Sequence, residues 1–169
     1  MGQLSAALEE DYSTDAPDIW AGSPFEWIRN QAPSRKGAIG KEMFRRWGRA
    51  EGFEVHQPLA GTPGDCVVAG MNVVVKFGLL WAQGTFTFEQ IRLQPYDAVA
   101  LLGLEPHRVH LWVVPRDVLW DGSGEQHGPD THWLRFRPDQ PPAVLAPFGG
   151  TLAAARGSLL EQAGGEVGG

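Results

Sequence analysis

The chain has 169 residues, of which 43% are hydrophobic and 20% are charged, a size and balance typical of one globular domain. A single cysteine, Cys66, excludes a disulfide framework and a cysteine-based zinc site. No apolar run reaches the roughly 20 residues of a membrane span, and the amino terminus is acidic rather than signal-like. We therefore expect a soluble, cytoplasmic protein with no membrane partner and no disulfide-linked partner.

The net charge of −6 is unevenly distributed along the chain. Residues 1–18 carry five acidic residues and no basic one, whereas residues 29–49 carry seven basic residues against Glu42 alone. Basic residues concentrated in one segment are typical of a surface that binds phosphates. The acidic total therefore does not exclude a nucleic-acid partner.

The predicted elements form one domain over residues 23–163, between an acidic, loosely ordered tail at 1–22 and a flexible end at 164–169. Apolar spacing and capping residues predict helices at 24–31, 35–51, 95–102 and 151–163, with a short helical turn at 115–120. Alternating or β-branched runs predict strands at 53–58, 65–69, 72–77, 109–114 and 132–137. This order indicates an α/β fold in which helices pack on the faces of one mixed sheet.

An acid and a lysine mark the hairpin predicted at 65–77. Asp65 begins its first strand and Lys76 lies near the end of its second, on the same face as Val74. A carboxylate can hold a divalent cation, and a nearby lysine can orient the attacking water, as phosphodiester hydrolysis requires. From spacing alone, a structural ion pair or a solvated strand end explains the two residues as well.

Neighbouring segments favour the catalytic interpretation. Glu42 lies on the predicted basic helix, which could bring one acid toward the sheet and several arginines toward a phosphate backbone. After the lysine, Gln90, Arg92 and Tyr96 are polar groups able to reach a phosphate or a metal-bound water.

The order of these motifs resembles the PD-(D/E)XK restriction-endonuclease-like nucleases over roughly residues 35–120. The resemblance implies a three-layer sandwich, with a mixed central sheet flanked by helices, that binds DNA and uses Mg²⁺ or Mn²⁺. It implies a metal site at Asp65, Glu42 and the Val75 carbonyl, with Lys76 and Gln90 as further catalytic residues and Gln90–Tyr96 on a helix. The expected DNA contacts are Arg35, Lys36, Lys41, Arg45, Arg46, Arg49, Arg92 and Tyr96.

One position departs from the family pattern. The family has Glu or Asp two residues before the lysine, and this chain has Val74, which cannot ligate a cation. Three interpretations stand side by side. Glu42 or another acid such as Glu89 supplies the carboxylate from elsewhere, the site is inactive and the domain only binds, or a substitution has removed the acid.

The leading functional hypothesis is a metal-dependent DNA endonuclease of the restriction, repair or mobile-element type, with a homodimer for double-strand cleavage. The alternative is a catalytically inactive nuclease-fold protein that binds DNA or a protein partner. A third hypothesis, a zinc protein using His127 and His132, has no further ligand in view. Trp81 could stack on a base, although burial under its loop is the expected state. Cys66 is expected in the core.

Overall fold

The computed structural model describes residues 18–122, 125–126, 128 and 130–165. The helices are α1 (Glu26–Arg29), α2 (Pro33–Ala50), α3 (Arg116–Gly122) and α4 (Leu152–Gly165), with a short 3-10 helix at Ala146–Phe148. The strands are β1 (Val55–His56), β2 (Cys66–Val68), β3 (Met71–Leu79), β4 (Phe86–Arg92), β5 (Ala98–Leu104), β6 (Val109–Pro115), β7 (Glu125–Gln126) and β8 (Thr131–Phe136).

Helix α2 is the long basic helix that the sequence predicts. It begins at Pro33, two residues before the predicted start, because proline at the first helical position needs no hydrogen-bond partner for its nitrogen. Gly40 lies in the middle of α2 against Phe77 of β3. A Cβ atom at Gly40 would stand 2.5 Å from the Phe77 Cβ, so glycine allows the helix to approach the sheet closely.

The predicted hairpin is confirmed as β2 and β3, which pair antiparallel from Cys66 opposite Val73 to Val68 opposite Met71. Its two-residue turn has positive φ at both positions, 51° at Ala69 and 82° at Gly70. Such a turn matches the right-handed twist of the paired strands.

The central sheet is mixed, as predicted, with the strand order β1-β2-β3-β5-β6. Only β3 and β5 are parallel, with Val73 opposite Ala98 and Leu79 opposite Leu104. The other neighbours are antiparallel. Strand β4 leaves this sheet and joins a second, three-stranded sheet in the order β4-β8-β7.

The helix predicted at 95–102 is wrong, because most of that segment belongs to β5. All seven residues from Ala98 to Leu104 are buried. A strand between two neighbours and between two covering layers is apolar on both faces, so it lacks the alternation of a half-exposed strand. Periodicity alone does not separate such a run from a buried helix.

The two faces of the central sheet are covered differently. One face packs on α2 and α4 through residues such as Phe44 and Leu159. The other face packs on the second sheet and on α3 through residues such as Phe88, Phe136 and Leu119. The predicted α/β class with a mixed central sheet and packed helices is confirmed, and most of the second outer layer is a sheet.

The described chain begins at Asp18 and packs almost at once. Trp20, which the sequence assigns to the tail, is 3% exposed and lies in a cluster with Ile28 and Leu104. Residues 1–17 and 166–169 lie outside the described residues, so the predicted tail and end stay predictions. No helix in the described ranges is long and apolar enough to cross a membrane.

Candidate active site

Asp65 is fixed immediately before β2 by hydrogen bonds to its backbone and its side chain. Its backbone N–H donates to the Val73 carbonyl (2.8 Å), and its carbonyl accepts a 2.8 Å bond from Nη2 of Arg45. Its Oδ2 atom accepts the N–H of Val75 at 2.8 Å. The carboxylate is therefore held against the edge of β3, next to the residue that precedes Lys76.

The counter-charge of Asp65 is Lys41. The Lys41 ammonium on α2 lies 2.8 Å from Oδ1 of Asp65, and the side chains are 39% and 20% exposed. The sequence predicts Lys41 as a DNA contact, and an ion pair between Asp65 and Lys76 is the structural alternative to a catalytic role. Lys41 and Arg45 both contact Asp65 and stand four residues apart on α2, and this helical spacing was the signal in the sequence that could have revealed the contact.

Lys76 is half-buried near Asp65 without forming an ion pair with any carboxylate of the described residues. Burial is the main cause that lowers its pKa, and the positive charges of Lys41 and Arg92 lower it further. The negative charge of Asp65 opposes these effects. A lysine in this environment releases its proton more readily than an exposed lysine does.

Val74 shares a face with Lys76 and packs, partly buried, on the core cluster between the two sheets. The position that carries an acid in the resembling family is thus occupied here by an apolar side chain in an apolar environment. The Val75 carbonyl is the remaining oxygen of this strand that faces Asp65. It projects to the same side of the strand as the Val75 N–H, which is bonded to Asp65.

Glu42 is engaged by two arginines of its own helix. Its carboxylate accepts a 3.0 Å hydrogen bond from Nε of Arg46 and lies 3.6 Å from Nη1 of Arg45. The Arg46 hydrogen bond is the largest cause that lowers the pKa of Glu42. Glu42 is not among the residues that line the groove beside Lys76, whereas Glu89 is. No group of three His, Cys, Asp or Glu side chains in the described ranges is placed to hold a metal ion.

A groove with a cavity volume of about 780 Å³ runs along the free edge of β3. Strand β2 pairs with β3 only as far as Val73, so no described strand pairs with the rest of that edge. Lys36 and Lys41 of α2 form one wall, Thr87 and Glu89 of β4 form the other, and β3 from Val75 to Leu79 forms the floor. Trp81 also lines this cavity, which we call the β3 groove.

The residues predicted to follow the lysine on a helix lie elsewhere. Gln90 is exposed at an irregularity of β4 with φ of 53°, and Arg92 is exposed at the end of β4. Tyr96 is 2% exposed in the loop before β5, and its hydroxyl donates to the Arg92 carbonyl at 2.6 Å. The predicted helix for this segment is wrong. Tyr96 was expected to contact DNA, but its side chain is buried in the core.

The basic residues of α2 fall into two groups. Arg45 (18% exposed) is bound to the Asp65 carbonyl, and Lys41 is bound to its carboxylate. Of the others, Arg35, Arg46 and Arg49 are exposed, Arg46 to 79%, and Lys36 is half-buried in the lining of the β3 groove.

Three further candidates occupy distinct environments. Trp81 is 55% exposed, so the expected burial is wrong. Cys66 is fully buried, as predicted, and burial raises the pKa of its thiol to about 11, which makes it a poor nucleophile. His132 is 7% exposed and stacks on Trp120 with ring centroids 3.9 Å apart; His127 lies outside the described residues.

The fold is similar to that of a DNA-cleaving enzyme. The solved structure of a bacterial homing endonuclease, I-Ssp6803I, superposes with a TM-score of 0.57 at 17% identity, covering 80% of this chain and 96% of that chain. No protein-family model and no curated protein sequence matches the chain. The similarity establishes a nuclease-like fold.

Proposed function

We propose that the chain is a DNA endonuclease-type enzyme that hydrolyses phosphodiester bonds next to Asp65 and Lys76. One observation carries the proposal. In a fold similar to that of a homing endonuclease, the Asp65 carboxylate is bound to the N–H of Val75, directly before Lys76, and Lys76 lines a groove whose α2 wall is cationic. PD-(D/E)XK membership, with Val74 in place of the acid, is part of the proposal.

The oxygen donors beside Lys76 suit a hard divalent cation. The Asp65 carboxylate and the Val75 carbonyl would hold Mg²⁺ or Mn²⁺, which would supply Lewis-acid polarisation of the phosphate. Such a cation competes with the Lys41 ammonium, which lies 2.8 Å from Oδ1 of Asp65. Val74 occupies the strand position from which the resembling family takes a further acidic ligand. Of the two acids that line the β3 groove, Asp18 is paired with Arg29, so Glu89 is the candidate for that ligand.

Lys76 has the environment of a proton acceptor. Burial lowers the pKa of its ammonium, so the free amine Nζ is available at lower pH than in an exposed lysine and can take a proton from the attacking water. Cleavage should then increase as the pH rises through the pKa of Lys76 in the folded protein. Lys36, in the lining of the β3 groove, and the exposed Arg46 would hold the flanking phosphates.

Each chain carries one such centre, so one chain would cut one strand at a time. Cleavage of both strands of a duplex then requires two chains, and a homodimer is the simplest arrangement that supplies them. This expectation rests on the proposed activity.

The proposal is tested by cleavage of supercoiled plasmid DNA with Mg²⁺ or Mn²⁺. Asp65→Ala and Lys76→Ala should each lower the rate by at least about 100-fold, because one removes the cation ligand and the other the proton acceptor. Asp117→Ala is the matched control, since Asp117 is 79% exposed on α3 and is bonded only to Arg116 among the described contacts. Cleavage that survives both site changes excludes this centre.

A nuclease-fold protein that binds DNA without cleaving it is the second candidate. The Lys41–Asp65 ion pair and the apolar Val74 favour it, because the carboxylate already has a cation and its usual acidic neighbour is missing. This candidate predicts salt-dependent DNA binding and no cleavage with either metal. It also predicts that Lys41→Met, which frees Oδ1 of Asp65, leaves the protein inactive.

A further inference from the structure

Trp81 is an exposed aromatic residue on a rigid support. Its backbone N–H donates to the Thr85 carbonyl at 2.9 Å, and its carbonyl accepts the N–H of Gly84 at 2.8 Å. These bonds fix the turn between β3 and β4, while the indole remains 55% exposed. A single exposed apolar side chain needs no explanation by itself, so its surroundings decide its significance.

The surroundings of Trp81 combine apolar and cationic groups. Trp81, Leu79 and Ile19 line the β3 groove together with four cationic residues, Arg29, Lys36, Lys41 and Lys76. The acidic residues of the lining are Asp18 and Glu89, and Asp18 is already paired with Arg29. The groove is therefore lined by more positive than negative charge and includes an accessible indole ring.

This combination is the one that binds unpaired nucleotides. Cationic side chains follow the phosphates, and an aromatic ring stacks on a base of any sequence. A base inside a duplex has both faces covered by its neighbours, so only an unpaired base can present a face to Trp81. Lys76 and Trp81 are five residues apart on an extended strand and the turn after it, so they stand about 16 Å apart. Successive phosphates of one DNA strand are about 3.4 Å apart along a duplex axis, so a segment of several nucleotides can reach both residues.

We propose that the β3 groove binds a single-stranded segment of DNA, with a base stacked on Trp81 and the phosphates beside Lys36 and Lys76. The preferred substrate is then DNA that carries an unpaired extension or flap, rather than uninterrupted duplex. The inference rests on the proposed function, because it names the substrate class of the same site.

The experiment measures binding by fluorescence anisotropy at one low salt concentration, without divalent metal. The two probes are a blunt duplex and the same duplex with a single-stranded oligothymidine extension. The full chain should bind the extended probe at least about tenfold more tightly. Trp81→Ala should weaken that binding by about 5- to 150-fold, as loss of one stacked base does, and Trp81→Phe should retain most of it.

Trp27→Ala is the matched control, because Trp27 is 56% exposed but does not line the groove. It should leave the affinities for both probes unchanged. Equal loss in the Trp27 and Trp81 variants, or equal binding of both probes by the unmodified chain, overturns the inference. If the chain binds and cleaves duplex without preferring the extension, the proposed function stands and the inference fails. If it binds neither probe, both fail.

Discussion

Lys76 is partly buried without an ion-pair partner among the described residues, and this burial costs the folded state free energy. Its side chain is half-buried, and the neighbouring carboxylate of Asp65 is already paired with Lys41. Removing a charge from water without a paired partner destabilises a fold. Functional sites are often less stable than an optimised core for this reason.

Lys76→Met should therefore stabilise the protein at pH 7 while abolishing cleavage. The pKa of Lys76 is below its ordinary value of 10.5 in the folded state, so the protonated form costs the folded state free energy below that lowered pKa. This cost falls as the pH rises toward 10.5. We expect a melting temperature a few degrees above wild type at pH 7 and a smaller difference near pH 10.

Thermal melts at both pH values, with Lys36→Met as the control, check the prediction. Lys36 lines the same groove from α2, so its replacement removes a lysine from the groove and leaves the Lys76 ammonium on β3 in place. A Lys76→Met variant that melts below wild type at pH 7 would contradict this account.

At the scale of elements, α2 has both a structural role and a binding role. Its buried side supports the central sheet, and two of its cations hold Asp65 in place. Its exposed side presents Arg46 and its neighbours to solvent. The close approach at Gly40 is what allows the first role, because β3 lies directly beneath it.

Gly40→Ala should destabilise the fold by about 1–3 kcal/mol, since the new methyl group would overlap Phe77. Gly37→Ala is the matched substitution on the same helix. A Cβ atom at Gly37 meets nothing within 4 Å, and alanine favours the helix by about 0.5–1 kcal/mol. Chemical denaturation measures both free energies of unfolding, and effects of the same sign would refute the close-packing argument.

Arg45 and Arg46 should separate the two roles of α2. Arg46→Ala removes an exposed cation, so DNA binding should weaken and the slope of log K against log salt should fall by about 1. Arg45→Ala removes a charged hydrogen bond to the Asp65 carbonyl and should cost about 1.5–3 kcal/mol of stability. Salt titrations and melts of the two variants test this division. If the two variants have the same profile, α2 has no such division of roles.

At the scale of the whole molecule, opposite charges lie close together along the chain. The acidic residues of 1–17 precede Asp18 and Ile19, which line the β3 groove. The basic residues of α2 line and flank the same groove. Because the acidic segment is attached beside the groove, its carboxylates are present there at a high local concentration. They can therefore compete with DNA phosphates for the basic residues of α2.

Removal of residues 1–17 should tighten DNA binding severalfold at low salt, because it removes four acidic residues, Glu9, Glu10, Asp11 and Asp15. The gain should disappear at high salt, where charges separated by more than a few ångströms are screened. Replacing the four acids with their amides is the control for length. Unchanged affinity at low salt in both variants would show that the segment has no influence on DNA binding.

The sequence by itself determined the elements whose signals are local. The β2–β3 hairpin follows from two β-branched runs joined by a turn that contains Gly70, and α2 follows from its apolar spacing. The same local patterns placed Asp65 at the start of the hairpin, immediately before β2, and Lys76 on β3. They also placed Cys66 in the core.

Only the tertiary structure decided the partners across the sheet and between layers. Strand β5 is buried on both faces, so its sequence lacks the alternation that would distinguish it from a helix. Lys41, rather than Lys76, reaches Asp65 because the packing at Gly40 brings α2 close to β3. Contacts of this kind depend on how two elements approach in space, and no periodicity within one element records that approach.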